Sequence, residues 1–349
     1  MSITLRFRRY ELTKRVALMI SRSSSAGSSS CVVEIECDGI IGLGEAAEFE
    51  IPGYGESIEQ IERDLASAAQ WLGSMHATQR WAVETRLRSE GVGASVRAAI
   101  DMALYDWMGK SVGLPVWKML GLEKSATGPT SVTIGINTPQ GAQERLRKWQ
   151  ELGVIRGIKV KLGSPAGIEA DKAMLEAIKE IAPSEAYIGI DANGGWDVAT
   201  TIEMSRWLRD RGVVHIEQPL PVDQVEMLRD LHGRCALPLF IDESCRSAKD
   251  VLTWGPYVDG INIKITKVGG LSEALRMIAI AKAMGLQTMA GCYGNIALGN
   301  GAAHQLASLI DYIDLDSHLN ISNDPTLGQP FENGFLVNQD TPGLGIQYA

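Results

Sequence analysis

Between residues 131 and 316 the apolar positions switch repeatedly between two periods. Eight short runs alternate apolar and polar residues, as half-buried strands do: SVTIGI (131–136), GIKVKL (157–162), YIGID (187–191), VVHIE (213–217), PLFID (238–242), GINIKI (260–265), LQTMAG (286–291) and DYIDLD (311–316). Seven stretches between them carry apolar residues at threes and fours, the spacing of one helix face. Strands alternating with helices imply a parallel sheet, and eight of them a closed barrel of the TIM type. An open, doubly wound sheet is the alternative. No glycine-rich fingerprint follows a first strand to support it. No helix is expected after the eighth strand.

The first 124 residues have a different texture. CVVEIECDGIIGLGE (31–45) reads as two antiparallel strands around a turn at Asp38-Gly39, and residues 55–120 read as helices. The fold class is therefore α/β: a TIM-type (β/α)7β barrel with an α+β capping domain. The expected divisions are capping domain 1–124, barrel 125–316, and a tail 317–349 that returns to the capping domain. The stretch SRSSSAGSSS (21–30) has seven serines in ten positions. That composition suggests a disordered loop or linker, with a flap over a site as the functional alternative. GLGEAA (42–47) and MGKS (108–111) echo nucleotide-binding motifs but lack the surrounding pattern, so both are set aside.

The alternation sorts each barrel strand into two faces. Ile158, Val160 and Leu162 share one face and Lys159 and Lys161 the other. One aliphatic face recurs in every strand and must meet the surrounding helices. The opposite face points inward and carries Lys159, Lys161, Asp191, Glu217, Asp242, Lys264, Asp314 and Asp316, near the C-terminal strand ends where such barrels place their sites. Three converging carboxylates, Asp191, Glu217 and Asp242, would repel one another without a cation. Three oxygen donors suit a hard ion such as Mg²⁺, with positions left for water or substrate. The competing reading is a structural network in which these acids pair with the lysines.

Composition narrows the partners. The formal net charge of −9 argues against nucleic acid or an anionic membrane as the main partner. Five cysteines without a CxxC pair suggest reduced thiols and a cytoplasmic location. The N-terminus does not read as a secretory signal, and no apolar run is long enough to cross a membrane.

The motifs KVK (159–161), DANGGW (191–196), EQP (217–219), DES (242–244) and KITKVGG (264–270) resemble, taken together, the muconate-lactonizing branch of the enolase superfamily. The resemblance extends over nearly the whole chain. It implies one Mg²⁺ per subunit held by Asp191, Glu217 and Asp242, and proton transfer next to a substrate carboxylate by Lys161 and Lys264. Lys159 would keep the site electropositive and help to lower the pKa of its neighbour, and Lys267 is secondary. The Asp-x-Asp of the eighth strand, Asp314 and Asp316, resembles the dipeptide epimerases of this branch, where it would grip a free ammonium group. N-acylamino acid racemases and o-succinylbenzoate synthases are the alternatives within the branch. A non-catalytic barrel is a third reading. Arg22, facing an acidic side chain as in L-Ala-D/L-Glu epimerases, Tyr54 and Thr133 complete the expected substrate contacts. A homo-oligomer is expected.

Overall fold

The computed structural model describes residues 2–126 and 128–349. The chain opens with a three-stranded antiparallel sheet, β1 (Thr4–Ile20), β2 (Ser23–Cys37) and β3 (Ile40–Ala47), followed by a small hairpin, β4 (Phe49–Ile51) and β5 (Tyr54–Glu56). Asp38 and Gly39 join β2 to β3 with φ of 51° and 76°. Two consecutive left-handed residues make the tight turn that a twisted hairpin favours. Helices α1 (Ile58–Leu72), α2 (Arg80–Ser89), α3 (Ala94–Val112) and α4 (Val116–Met119) complete this unit. Helix α3 lies directly on β3, because Gly42 and Gly44 present no side chain there. A Cβ at either would strike the carbonyls of Ala103 or Ala99.

The serine-rich stretch is neither disordered nor a linker. It is the first half of β2, and its backbone pairs with β1 from Ser23↔Ile20 to Ser28↔Leu12. Its composition resembles that of a linker, but a ladder is made by backbone groups and needs only a partner strand. Gly27 is required at one point of this ladder, where a Cβ would sit 2.6 Å from the Leu12 carbonyl oxygen.

The barrel strands are β6 (Ser131–Ile134), β7 (Gly157–Lys161), β8 (Tyr187–Asp191), β9 (Val213–Glu217), β10 (Leu239–Ile241), β11 (Gly260–Ile263), β12 (Gln287–Ala290) and β13 (Tyr312–Ile313). All eight fall within the predicted runs. They hydrogen-bond in sequence order, every pair parallel. A parallel bridge between Thr130 and Ile313 brings the first strand to the last. Helices α5 (Pro139–Leu152), α6 (Ile168–Ile181), α7 (Val198–Arg209), α8 (Leu228–Leu231), α9 (Ala248–Trp254), α10 (Ile265–Val268), α11 (Leu271–Ala283) and α12 (Ala297–His304) form the crossovers, and a 3₁₀ segment (Val222–Met227) precedes α8. Among the described residues, no α-helix follows β13: a 3₁₀ turn (Ser317–Asn320) leads into four two-residue strands of the tail, β14 (Thr326–Leu327), β15 (Phe331–Glu332), β16 (Phe335–Leu336) and β17 (Gln347–Tyr348).

The outward aliphatic faces, such as Ile158, Val160 and Leu162, are fully buried against these helices. The tail then crosses back to the capping unit. Asn323 bonds the backbone of Glu11 and Thr13, Leu344 N–H donates to Asp106 Oδ1 at 2.7 Å, and the Tyr348 hydroxyl donates to Glu34 at 2.6 Å.

Candidate active site

The barrel interior has two layers. At its floor His215, Phe240 and Tyr312 pack ring to ring with centroids 4.8–5.7 Å apart. Burial, and then the nearby Lys159 charge, lower the His215 pKa to about 4, so this imidazole is neutral. The charged residues meet in the layer above this aromatic floor.

The alternation of β7 puts Lys159 and Lys161 on that inner layer, 3% and 7% exposed. Lys159 Nζ lies 2.7 Å from Glu217 Oε2, 2.7 Å from Asp314 Oδ2 and 3.5 Å from Asp191 Oδ2. Lys161 Nζ donates to Asp191 Oδ2 at 2.6 Å, and Lys264 Nζ to Asp242 Oδ2 at 2.6 Å. Lys267 is wholly buried and donates to Asp242 Oδ1 at 2.8 Å and to the carbonyls of Asp242 and Asn262. Lys267 is thus more than a secondary residue, for it fixes one oxygen of Asp242.

Four lysines therefore face four carboxylates, Asp191, Glu217, Asp242 and Asp314. The structural ion network that competed with the metal reading is present as geometry. Burial would lower the Lys159 pKa, but Asp314, Glu217, Asp191 and Asp242 outweigh it and hold it well above the ordinary lysine value. Burial would lower that of Lys264 too, and Asp242 more than offsets this. Attraction to carboxylates, rather than repulsion between ammonium groups, dominates the layer.

The three expected metal ligands do converge. Oxygens of Asp191, Glu217 and Asp242, all fully buried, lie within 4.8 Å of one another. Burial would raise the Asp191 pKa, but Lys161 and Lys159 hold it below the carboxylate range. Burial would likewise raise that of Asp242, and Lys264 and Lys267 hold it down. Glu217 moves the other way, to about 8, through burial and then the Asp191 charge. Its Oε1 accepts from Asn262 Nδ2 at 2.8 Å, while its Oε2 has a charged neighbour in Lys159 but no hydrogen bond of proper geometry. An all-oxygen triad with an unsatisfied buried oxygen fits a hard divalent cation.

Three polar residues next to these ligands were missed by sequence reasoning. Asn193 N–H and Nδ2 bind the two Asp191 oxygens at 2.8 and 3.2 Å. Gln218 Oε1 accepts from Asp242 N–H at 2.9 Å and Ser244 N–H at 3.3 Å. Glu243 Oε1 accepts from Asn193 Nδ2 at 3.1 Å and from Arg22 Nη2 at 2.8 Å. The signal was available: each stands one or two positions after a ligand in DAN, EQP and DES.

Above this layer opens a cavity of about 1520 Å³, walled by the β1–β2 hairpin, β4–β5 and the barrel mouth. Lys161, Lys264, Asp314, Asp316, Arg22, Tyr54 and Thr133 all line it. Arg22 sits at the hairpin tip. Its Nη1 donates to the Asn193 carbonyl at 3.0 Å, so with Glu243 it pins the tip to the barrel. Asp314 is engaged within the protein by Lys159 and by Ser131 Oγ at 2.6 Å. Asp316 Oδ2 accepts from Thr133 N–H at 2.6 Å, and among the described residues the hydrogen-bond partner of its Oδ1 is the Cys292 thiol at 4.0 Å. The Tyr54 hydroxyl donates to the Lys267 carbonyl at 3.4 Å, and Lys264 Nζ lies 4.4 Å from the centre of the Tyr293 ring.

The profile of the mandelate racemase / muconate lactonizing enzyme N-terminal domain matches residues 2–121, and that of the enolase C-terminal domain-like family matches residues 141–349. The chain belongs to the mandelate racemase / muconate lactonizing enzyme family of the enolase superfamily. Within this family it is similar to the hydrophobic dipeptide epimerase of Roseobacter litoralis, with 42% identity over 96% of each chain. It is 34% identical to the L-Ala-D/L-Glu epimerase of Bacteroides thetaiotaomicron, over 97% of this chain and 86% of that one. Among solved structures, it matches the dipeptide epimerase of Enterococcus faecalis complexed with Mg and L-Leu-L-Tyr. The TM-score is 0.92 and the identity 28%, over the full length of both chains.

Proposed function

We propose that this protein is a Mg²⁺-dependent isomerase that inverts the α-carbon of the C-terminal residue of a dipeptide. The observation that carries this reading is the placement of two lysines across one carboxylate triad. Lys161 follows from the second barrel strand and Lys264 from the end of the sixth, four strands apart and so on opposite sides of the mouth. A base on each side of one carbon is what 1,1-proton transfer requires. Lys161 takes or returns the proton on one face of the α-carbon and Lys264 on the other. Asp191, Glu217 and Asp242 would hold the ion, which when bound supplies positive charge to the substrate carboxylate as the α-proton leaves. Lys267 keeps Asp242 in place throughout.

Asp316 provides the other end of the site. Asp316 lines the cavity, and among the described residues its Oδ1 has only a long contact with the Cys292 thiol, so a substrate ammonium would complete it. Asp314, already held by Lys159 and Ser131, supports this charge from behind. For the second residue an apolar side chain is favoured over an acidic one. Arg22 already has Glu243 as its carboxylate partner, and Met19, Ile51 and Phe49 line the hairpin side of the cavity. The hydrophobic specificity named for the Roseobacter litoralis relative points the same way. The described cysteines form no disulfide with one another, which suits the reducing cytoplasm as the location.

The test compares L-Ala-L-Leu with N-acetyl-L-leucine at equal concentration in the presence of Mg²⁺. The dipeptide should be epimerised and the acylated amino acid left almost unchanged. Racemisation of N-acetyl-L-leucine at a comparable rate would instead support the N-acylamino acid racemase reading.

A further inference from the structure

Beyond Asp316 the cavity continues toward the β6–α5 loop and the first turns of α5. One cation there is half-buried, and Asp316 is the acid whose charge acts on it, without an ion pair between them. Among the described residues, the Arg145 guanidinium makes no hydrogen bond and no ion pair. It is held instead over the ring of Trp149, 4.0 Å from its centre. Trp149 is itself fixed, its Nε1 donating to the Thr133 carbonyl at 2.9 Å, and the Thr133 N–H donates to Asp316 Oδ2. A continuous chain of contacts, Arg145 to Trp149 to Thr133 to Asp316, therefore sets this cation beside the carboxylate that lines the cavity. Stacking on an aromatic face leaves the guanidinium edge, with its fork of N–H donors, free to take a planar anion. Two other charges at this rim, Lys148 and Glu144, are exposed and opposite in sign, so they do not replace it.

We infer that Arg145 is a specificity residue for the first position of the dipeptide, where it receives a side-chain carboxylate of N-terminal glutamate or aspartate. This rests on the proposed dipeptide reading. With the ammonium at Asp316, the side chain on the same carbon leaves toward the nearby α5 wall. An acidic side chain there gains a charge-assisted, bidentate partner at Arg145. A neutral isostere of the same shape gains only a weaker hydrogen bond, and alanine gains nothing. The enzyme would thus discriminate at both ends: an apolar second residue beneath the capping hairpin and an acidic first residue against α5.

The experiment measures kcat/KM for L-Glu-L-Leu, L-Gln-L-Leu and L-Ala-L-Leu with the Mg²⁺-loaded protein. The glutamyl substrate should exceed its glutaminyl isostere by about tenfold, mainly through KM. Arg145→Met, which keeps an apolar stem on Trp149, should bring that ratio close to one, and Arg145→Lys should restore part of it. Turnover of L-Ala-L-Leu without a preference for glutamyl over glutaminyl would overturn this inference alone. A preference that survives Arg145→Met would overturn it too. Failure to turn over any of the three dipeptides would remove the epimerase reading and the inference with it.

Discussion

Asp316 illustrates how much one side chain's surroundings decide. Its carboxyl is raised to about 6, first by burial and then by the charge of Asp314, against the backbone bond from Thr133 and the pull of Arg145. A carboxyl must be ionised to hold an ammonium group, so its binding role is weak below about pH 6 and complete above it. We expect kcat/KM for a dipeptide to rise as pH increases through about 6. In Asp316→Asn this limb should vanish and the value fall overall, chiefly through KM, by about tenfold or more. A pH profile of the variant that matches the parent would remove Asp316 from substrate recognition. The sequence pattern put Asp314 and Asp316 on one inward face of the eighth strand. Both do line the cavity, but they stand past the end of β13, and Asp316 has a helical backbone to which a period of two does not apply. The pattern did not separate their roles. That separation depends on Ser131 and Lys159, whose strands lie far from β13 in the chain but meet it across the barrel.

At the scale of elements, each strand end secures the next. Gln218 adopts a left-handed φ of 37° directly after the Glu217 ligand, and from there its side-chain amide caps the turn after β10. Its Oε1 accepts two backbone N–H groups, and its Nε2 donates to the Leu220 carbonyl at 2.8 Å and Ser244 Oγ at 2.9 Å. Gln218→Ala would leave buried backbone donors unpaired, at a cost of about 1–3 kcal/mol. We expect a lower melting temperature together with a weaker Mg²⁺ affinity by isothermal titration calorimetry, since Asp242 loses its anchor. An unchanged affinity would show that Lys264 and Lys267 suffice to position Asp242.

The barrel strands were legible because their signal is local. Each run is a few residues of strict alternation bounded by turns, and the ligands stand at the ends of such runs. Strand β2 was not legible at its N-terminal half. Its pairing with β1 is decided by a partner strand and by the space above the barrel, and neither leaves a mark on a stretch of serines. The pairing of Arg22 with Glu243 was hidden for a related reason: one is on the capping hairpin and the other on the barrel, and only the folded chain brings them to 2.8 Å.

For the whole molecule, the formal charge of −9 conceals its main electrostatic feature. Four buried lysines and four buried carboxylates sit in one layer above an aromatic floor, a costly arrangement unless the charges serve a purpose. The capping unit closes over that layer. Beside the Arg22–Glu243 pair, the buried Glu45 of β3 accepts from the N–H groups of Ile296 and Gly299 at the start of α12, at 3.1 and 2.9 Å. Site and cap are therefore one assembly, in which the barrel supplies the buried charges and the cap walls the cavity above them. The central claim is that Lys161 and Lys264 exchange the α-proton of the second residue of a dipeptide. The most direct measurement is incubation of L-Ala-L-Leu with the Mg²⁺-loaded protein in D₂O, followed by NMR. The account predicts one deuterium at the leucine α-carbon and parallel growth of L-Ala-D-Leu, with the alanine α-proton untouched. No deuterium in the peptide, or deuterium at alanine instead, would contradict it.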